Sequence, residues 1–224
     1  MKIRCSQIGK IMTAPRNKNE VLSQTTKTYL LELAVEHKYG IKKEFWSRYT
    51  DKGNQVEDEA ITLVNDVLDV GFIYKNEENI SNEYITGTPD INTDVLIDVK
   101  SSWDAFTFFE KVVEDELKNK DYYFQLQGYL WLTNKEEALL CYCLIDTPLQ
   151  IVEDEVRREH WKQNEIGEND DIRAYVEAKH SFTHIDKQKR VKTHVIKRDE
   201  KTIESIKTRI EECREYYNNL IQVI

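Results

Sequence analysis

The residues best equipped for chemistry lie between Gly87 and Ser102: the turn Gly87-Thr88-Pro89-Asp90, and then Val95-Leu96-Ile97-Asp98-Val99-Lys100-Ser101-Ser102. The turn sets one aspartate. The run from Val95 to Val99 is β-branched and aliphatic on both faces, which predicts a buried strand. Side chains alternate along a strand, so Leu96, Asp98 and Lys100 share one face. Charges at the end of a buried strand need partners. Two acids and an ammonium on one spot are the equipment of metal-assisted hydrolysis. The carboxylates hold a hard cation, and the lysine orients the attacking water or lowers its pKa.

Other elements must bring partners to that spot. The segment 53–70 opens with Gly53-Asn54-Gln55-Val56-Glu57 and then predicts a helix. Glu57, Ala60, Ile61, Val64 and Leu68 fall on one helical stripe. A carboxylate on an apolar stripe is costly unless it serves a site, although an acid at a helix start is also favoured by the dipole. Residues 121–133 predict a helix that is apolar nearly all round and therefore buried, with Gln125 and Tyr129 one turn apart on the same face. A buried glutamine needs hydrogen-bond partners, either within the fold or on a substrate. Residues 6–12 predict a short helix with Ile8, Ile11 and Met12 inward. Ser6 stands at its N-cap position, where it either caps the helix or binds a phosphate.

The rest of the chain reads as an α/β fold. A helix over 28–39 ends at Gly40. Strands are expected over 72–76 and 84–86, next to the strand that carries Asp98, forming an antiparallel element. An amphipathic helix over 104–119 turns Phe108, Val112 and Leu117 inward. A buried strand over 138–146 follows, then helices around 153–163 and 170–180, and a strand over 191–197. Asp199 caps a last helix whose Ile203, Ile206, Ile210, Cys213, Tyr217 and Leu220 form one seam. That seam is expected to pack on the sheet of its own chain rather than to dimerise.

Composition narrows the function classes. The 224 residues are 40% hydrophobic and 33% charged, which predicts a soluble protein with a sizeable core. No apolar run approaches the ~20 residues that span a bilayer, and the N-terminus lacks the apolar core of a signal peptide, so a cytoplasmic location is expected. A formal net charge of -9 argues against a general nucleic-acid coat protein. It allows a nuclease whose phosphate contacts come from a local basic strip. Candidates for the strip are Lys2, Arg4, Lys10, Arg16 and Lys18, or Lys187, Lys189, Arg190, Lys192, Lys197 and Arg198. Cys5, Cys141, Cys143 and Cys213 lack metal-site spacing and read as buried free thiols. His180 and His184 are four apart but have no third ligand at useful spacing. The sequence contains no Walker loop and no Gly-x-Ser-x-Gly, and nothing selects a cysteine–histidine dyad.

Thr88-Pro89-Asp90 followed by Asp98-Val99-Lys100 resembles the PD-(D/E)XK nuclease signature. Gly53-Asn54-Gln55-Val56-Glu57 before a helix, and Gln125-Leu126-Gln127-Gly128-Tyr129-Leu130-Trp131-Leu132-Thr133, resemble segments of the lambda-exonuclease-like (YqaJ-type) phage recombination nucleases. Ser6-x-Ile8 and the helix containing Tyr29, Leu33, Ala34 and Glu36 fit the same family. The similarity is ordered along residues 4–147, with a matching strand–helix ending at 191–222, and residues 150–188 match nothing. The resemblance implies a restriction-endonuclease-like fold, a central mixed β-sheet flanked by helices, as one nuclease domain over 1–224 with a helical insertion at 150–188. It implies a metal-dependent deoxyribonuclease acting 5′→3′ on duplex ends in phage recombination, with an endonuclease or nickase, or a catalytically idle DNA-binding subunit, as alternatives. Glu57, Asp90, Asp98 and the Val99 carbonyl would bind Mg²⁺, or Mn²⁺ in its place, as a pair of ions. Lys100 would position or activate water, and Gln125 would contact substrate or support the site. Ser6, Arg4, Ser101 and Tyr129 would bind substrate, with Ser6 at a terminal 5′ phosphate. The arginine that the family carries just upstream of Ser6 has no direct counterpart, and Arg4 and Lys2 are the candidates for its place. The implied partners are DNA, a single-strand annealing protein and further copies of the chain in a ring-shaped trimer, all within a bacterial host.

Overall fold

The computed structural model describes residues 1–44, 46–165 and 167–224. Ile166, within the expected 150–188 insertion, lies outside them. Among the described residues no helix is long and apolar enough to cross a membrane.

The chain starts with β1 (Ile3–Arg4), a 3₁₀ turn over Cys5–Gln7 and the short α1 (Ile8–Ile11). Ser6 therefore sits inside the 3₁₀ turn. It caps nothing, because the residues preceding the turn and α1 are Arg4 and Gln7, neither with a side-chain cap. The expected N-cap fails because strand β1 runs straight into the turn, which leaves no extended residue at position 6. Ser23 caps α2 (Gln24–Tyr39) by accepting from the Thr26 N–H, and Gly40 closes it at φ 69°, the left-handed conformation glycine adopts freely. The helix expected over 53–70 is two helices. These are α3 (Arg48–Gln55) and α4 (Glu57–Val67), broken at Val56.

Strands β2 (Ile80–Ser81) and β3 (Ile85–Gly87) lead to β4 (Ile91–Asn92) and β5 (Leu96–Ser101). No strand forms over 72–76. Phe72 and Tyr74 are exposed and only Ile73 is buried. The segment instead follows the site turn through its last residue, with Asn76 N–H donating to the Asp90 carbonyl (2.7 Å). Helix α5 (Ala105–Val112), capped by Asp104, stops well before the expected Asn119. Helix α6 (Lys120–Thr133) and β6 (Glu137–Cys143) follow. Then come α7 (Leu149–Gln163) and α8 (Asp170–His180), close to the two helices expected. Strand β7 (Val191–Lys197) and α9 (Glu200–Val223) complete the chain. The Asp199 side chain caps α9 as expected, accepting from the Lys201 and Thr202 N–H groups.

The fold is mixed α/β, but among the described residues the strands form two mixed sheets instead of one. One has the order β1-β3-β2 and the other β4-β5-β6-β7. The division falls at Thr88-Pro89-Asp90. Proline has no N–H for a ladder, and side chains take the turn's carbonyls: Tyr129 donates to Thr88 O (3.2 Å) and Asn76 to Pro89 O (2.9 Å). In the larger sheet β5 and β6 are parallel, while β4 and β7 pair antiparallel at the edges.

Strand β5 divides the interior. Leu96 packs into a core built by α1, α2, α6 and α9. Ile97 and Val99 pack on the opposite face against Ala60, Ile61 and Val64 of α4. The α9 seam packs on α2, α6 and α1 rather than on a sheet. Its Ile206, Ile210 and Cys213 are fully buried, each isoleucine worth about 1.5–3 kcal/mol relative to exposure. Two glycines let the layers touch: a Cβ on Gly87 would lie 2.7 Å from the Tyr129 ring, and one on Gly128 would lie 2.6 Å from Ile8. All four cysteines are buried free thiols.

Candidate active site

The end of β5, the turn before β4 and the start of α4 meet at a cleft of about 410 Å³. It is lined by Tyr49, Thr50, Gly53, Asn54, Glu57, Asp90, Val99, Lys100, Ser101 and Tyr122. Glu57, Asp90, Val99, Lys100 and Ser101 were expected from the sequence. Each is aimed by its element. Strand alternation gives Asp98 and Lys100 to one face, and the break at Val56 puts Glu57 in the first turn of α4, where the helix dipole favours an acid.

Asp98 is outside the cleft lining and buried, 1% exposed, and reaches the cleft through its pair with Lys100. Its Oδ1 accepts from Gln125 Nε2 (3.0 Å), which also donates to the Tyr129 hydroxyl (3.1 Å). Its Oδ2 faces the Lys100 ammonium as an ion pair but has no hydrogen bond of good geometry. Asp90 Oδ2 accepts from the Val99 N–H (2.7 Å), tying the turn to β5. Burial, then the neighbouring Asp98, pushes the Asp90 carboxyl up to about 7, against the pull of Lys100 and the Val99 N–H. Burial works against the Lys100 ammonium, but Asp98 and Asp90 outweigh it and its pKa is raised. The ammonium also stands 5.3 Å over the Tyr122 ring, a cation–π contact. Glu57 pairs with Lys75 (3.0 Å), which also reaches the exposed Asp58 (2.7 Å).

Among the described residues, no three acid, histidine or cysteine side chains converge closely enough to chelate an ion as they stand. Lys75 and Lys100 occupy two of the carboxylates, and a backbone N–H occupies part of the third. The donor set nevertheless fits a hard divalent cation, since it consists of carboxylate oxygens. The buried Asp98 Oδ2 is an acceptor still lacking a well-directed partner, which a cation would satisfy.

Besides Asp98, four expected residues lie outside the cleft lining. Gln125 is 8% and Tyr129 4% exposed, and both are occupied in holding Asp98 and the Thr88 carbonyl. Tyr129 is thus a support for the site and, so buried, does not present itself to a substrate. Ser6 and Arg4 are exposed but outside the cleft lining. Arg4 pairs with Glu36 of α2 (3.5 Å). In the second basic tract Arg190 is buried and Lys187 pairs with Asp66. His180 hydrogen-bonds the Thr147 hydroxyl (2.9 Å).

Sequence reasoning missed Tyr49, Thr50, Asn54, Tyr122 and Lys75. Tyr122 had a signal, three residues before Gln125 on the same helix. Lys75 had none, because its approach to Glu57 depends on the path of an irregular segment. Gln127, the second glutamine of α6, is wholly structural: it donates to Lys197 O (2.7 Å) and accepts from the Asp199 N–H (2.9 Å), joining β7 to α9.

No protein-family model matches the chain, and no curated protein matches it. Solved structures do. A phage related exonuclease from Haemophilus somnus 129PT superposes with a TM-score of 0.78 at 29% identity, covering 99% of this chain and 96% of that one. An alkaline exonuclease from Laribacter hongkongensis superposes at 0.68 with 14% identity, covering 99% and 90%, and its complex with dAMP at 0.67 with the same identity and coverage. The chain therefore has the fold that the sequence resemblance implied, and its structural neighbours are nucleases of the lambda-exonuclease-like kind.

Proposed function

We propose that the chain is a metal-dependent deoxyribonuclease, and that it works as a 5′→3′ exonuclease on duplex ends in phage-type recombination. One observation carries the reading: Lys100, Asp90 and Glu57 line a single cleft, and Lys100 pairs with the buried Asp98 on the same face of β5, in a fold shared end to end with a phage related exonuclease. The neighbour solved with dAMP supports DNA as the substrate.

In this reading Glu57, Asp90, Asp98 and the Val99 carbonyl would hold Mg²⁺, or Mn²⁺ in its place, as a pair of ions. Bound there, the metal would polarise the phosphate and favour ionisation of water. The protein's own groups do the remaining work. Lys100 donates to the attacking water and holds it in line with the phosphorus. Gln125 fixes the Asp98 carboxylate, and Tyr129 fixes Gln125. Ser101 and Tyr122 form the wall nearest the scissile phosphate, while Ser6 and Arg4, outside the cleft, contact the DNA end. A single nuclease domain, a trimeric ring and a single-strand annealing partner belong to the same reading.

The test is a time course on end-labelled linear duplex DNA with Mg²⁺, comparing 5′-phosphate with 5′-hydroxyl ends and including a covalently closed circle. The expected result is release of mononucleotides from linear DNA, faster from 5′-phosphate ends, with the circle intact and all activity lost in excess EDTA. Full activity in EDTA would overturn metal dependence, and cutting of the circle would replace the exonuclease with an endonuclease.

A further inference from the structure

Helix α3 supplies Tyr49, Thr50, Gly53 and Asn54 to the cleft and ends at Gln55, with Val56 alone between it and Glu57. It is a poor helix by itself, short and with a glycine inside, and its single buried residue is Lys52. Its position must come from what holds it. Lys52 is 1% exposed, and its ammonium donates to the Trp103 carbonyl (2.9 Å) and lies 5.4 Å over the Phe182 ring. One turn earlier, Arg48 makes a two-pronged pair with Glu155 of α7 (2.8 and 2.9 Å) and stacks 5.0 Å over Trp103. Trp103 in turn meets the edge of His180, the last residue of α8, at 5.3 Å. His180 is pinned to Thr147, and the Phe182 N–H to Asp146 (2.5 Å), both just after β6.

These contacts come from opposite sides. Arg48 and Lys52 lie on the back of the helix whose front lines the cleft. Trp103 lies two residues beyond Ser101, the last cleft residue of β5. Glu155, His180 and Phe182 all come from the stretch that matches no familiar pattern. A buried ammonium with only a carbonyl and aromatic rings around it is a costly way to fill space. A methionine would fill that space without the cost but would not tie the Trp103 carbonyl to α3.

We propose that the α7–α8 pair is a brace for the cleft, which through Glu155, His180 and Phe182 locks Arg48, Trp103 and Lys52 and so sets where α3 and Glu57 stand. Lys52 and Arg48 are positioning residues: neither lines the cleft, and Arg48 reaches it only through its hydrogen bond to the Tyr49 hydroxyl (3.0 Å). The inference rests on the nuclease reading above for its effect on turnover, but not for its effect on α3.

The test compares wild type with Lys52→Met and Glu155→Gln by steady-state cleavage of linear duplex DNA, thermal melting and amide hydrogen exchange. Both variants are expected to keep the fold. Lys52→Met should lose about 10-fold or more in kcat and Glu155→Gln about 3- to 10-fold, with KM within about 2-fold, because ground-state binding is left alone while the reacting geometry is not. Exchange should quicken in residues 48–56 and not in α9. Wild-type kcat in both variants overturns the proposal, whatever exchange does. If Lys52→Met does not fold, Glu155→Gln carries the same readouts. If wild type cleaves nothing, the nuclease reading falls, and exchange in α3 still decides the brace: faster supports it, unchanged overturns it.

Discussion

Two lysines are drawn into this molecule, and their surroundings could hardly differ more. Lys100 stands against Asp98 with Asp90 nearby, and its pKa is raised. Lys52 has a carbonyl and aromatic rings, and burial lowers its pKa to about 8, with Asp104 and Asp146 opposing only through space. The same side chain is thus supported in one place and penalised in the other. The charge at Lys100 balances carboxylates that would otherwise repel one another. The charge at Lys52 lacks that compensation and persists because it ties elements together.

The largest expected effect tests the compensated side. Asp98→Asn or Lys100→Ala should lower cleavage of linear duplex DNA by about 10³-fold or more while the circular dichroism spectrum stays that of wild type, as loss of a group acting on the reacting centre does. Wild-type rates in either variant would detach the pair from catalysis.

The next effect tests the penalised side. Lys52→Met should be more stable than wild type at pH 7 by up to about 3 kcal/mol, the size of a shift from 10.5 to about 8 by linkage. The sign follows from proton binding. Between about pH 8 and 10.5 the unfolded chain holds a proton on Lys52 that the folded chain has lost, so wild type gains stability as pH rises through that window. The variant's advantage should therefore shrink from pH 8 to 10.5 in urea titrations. Differencing the two proteins cancels the buried tyrosines and thiols, which titrate in the opposite sense at high pH. An advantage that does not vary with pH would mean that Lys52 is not penalised.

Gln125→Leu leaves Asp98 Oδ1 without its amide donor. It should cost about 10- to 100-fold in activity or in Mn²⁺ affinity by calorimetry, typical of a group that orients a ligand. The smallest change is Tyr122→Phe. The ring under Lys100 remains, so turnover is expected to stay within about 2-fold. A large loss would give the Tyr122 hydroxyl a role of its own in the cleft.

The same contrast explains what the sequence made legible. Asp90, Asp98 and Lys100 sit within eleven residues of one another, on a turn and a strand whose alternation fixes their direction. Gln125 betrayed itself as an amide on a helix with no polar face. The C-terminal seam, the Asp199 cap and β7 were equally plain because local pattern and burial agree there. Lys52 was not legible. It lies in Arg48–Gln55, a polar stretch without apolar periodicity, and its partners are 51 and 130 residues away. Ser6 misled because its neighbours Ile8, Ile11 and Met12 mimic a helix start while β1 governs the backbone. The segment over 72–76 misled because its aromatic residues favour a strand, yet no neighbouring strand offers it a ladder. The single expected sheet became two because Pro89 interrupts pairing at the point where the site needs a turn.

The central claim is that the cleft between β5 and α4 hydrolyses DNA through its carboxylates and Lys100. The most direct measurement is the initial rate of nucleotide release from linear duplex DNA by wild type and Asp98→Asn, each with Mg²⁺ and with excess EDTA. Release is expected only from wild type with Mg²⁺. Equal release by Asp98→Asn, or release undiminished in EDTA, would contradict it.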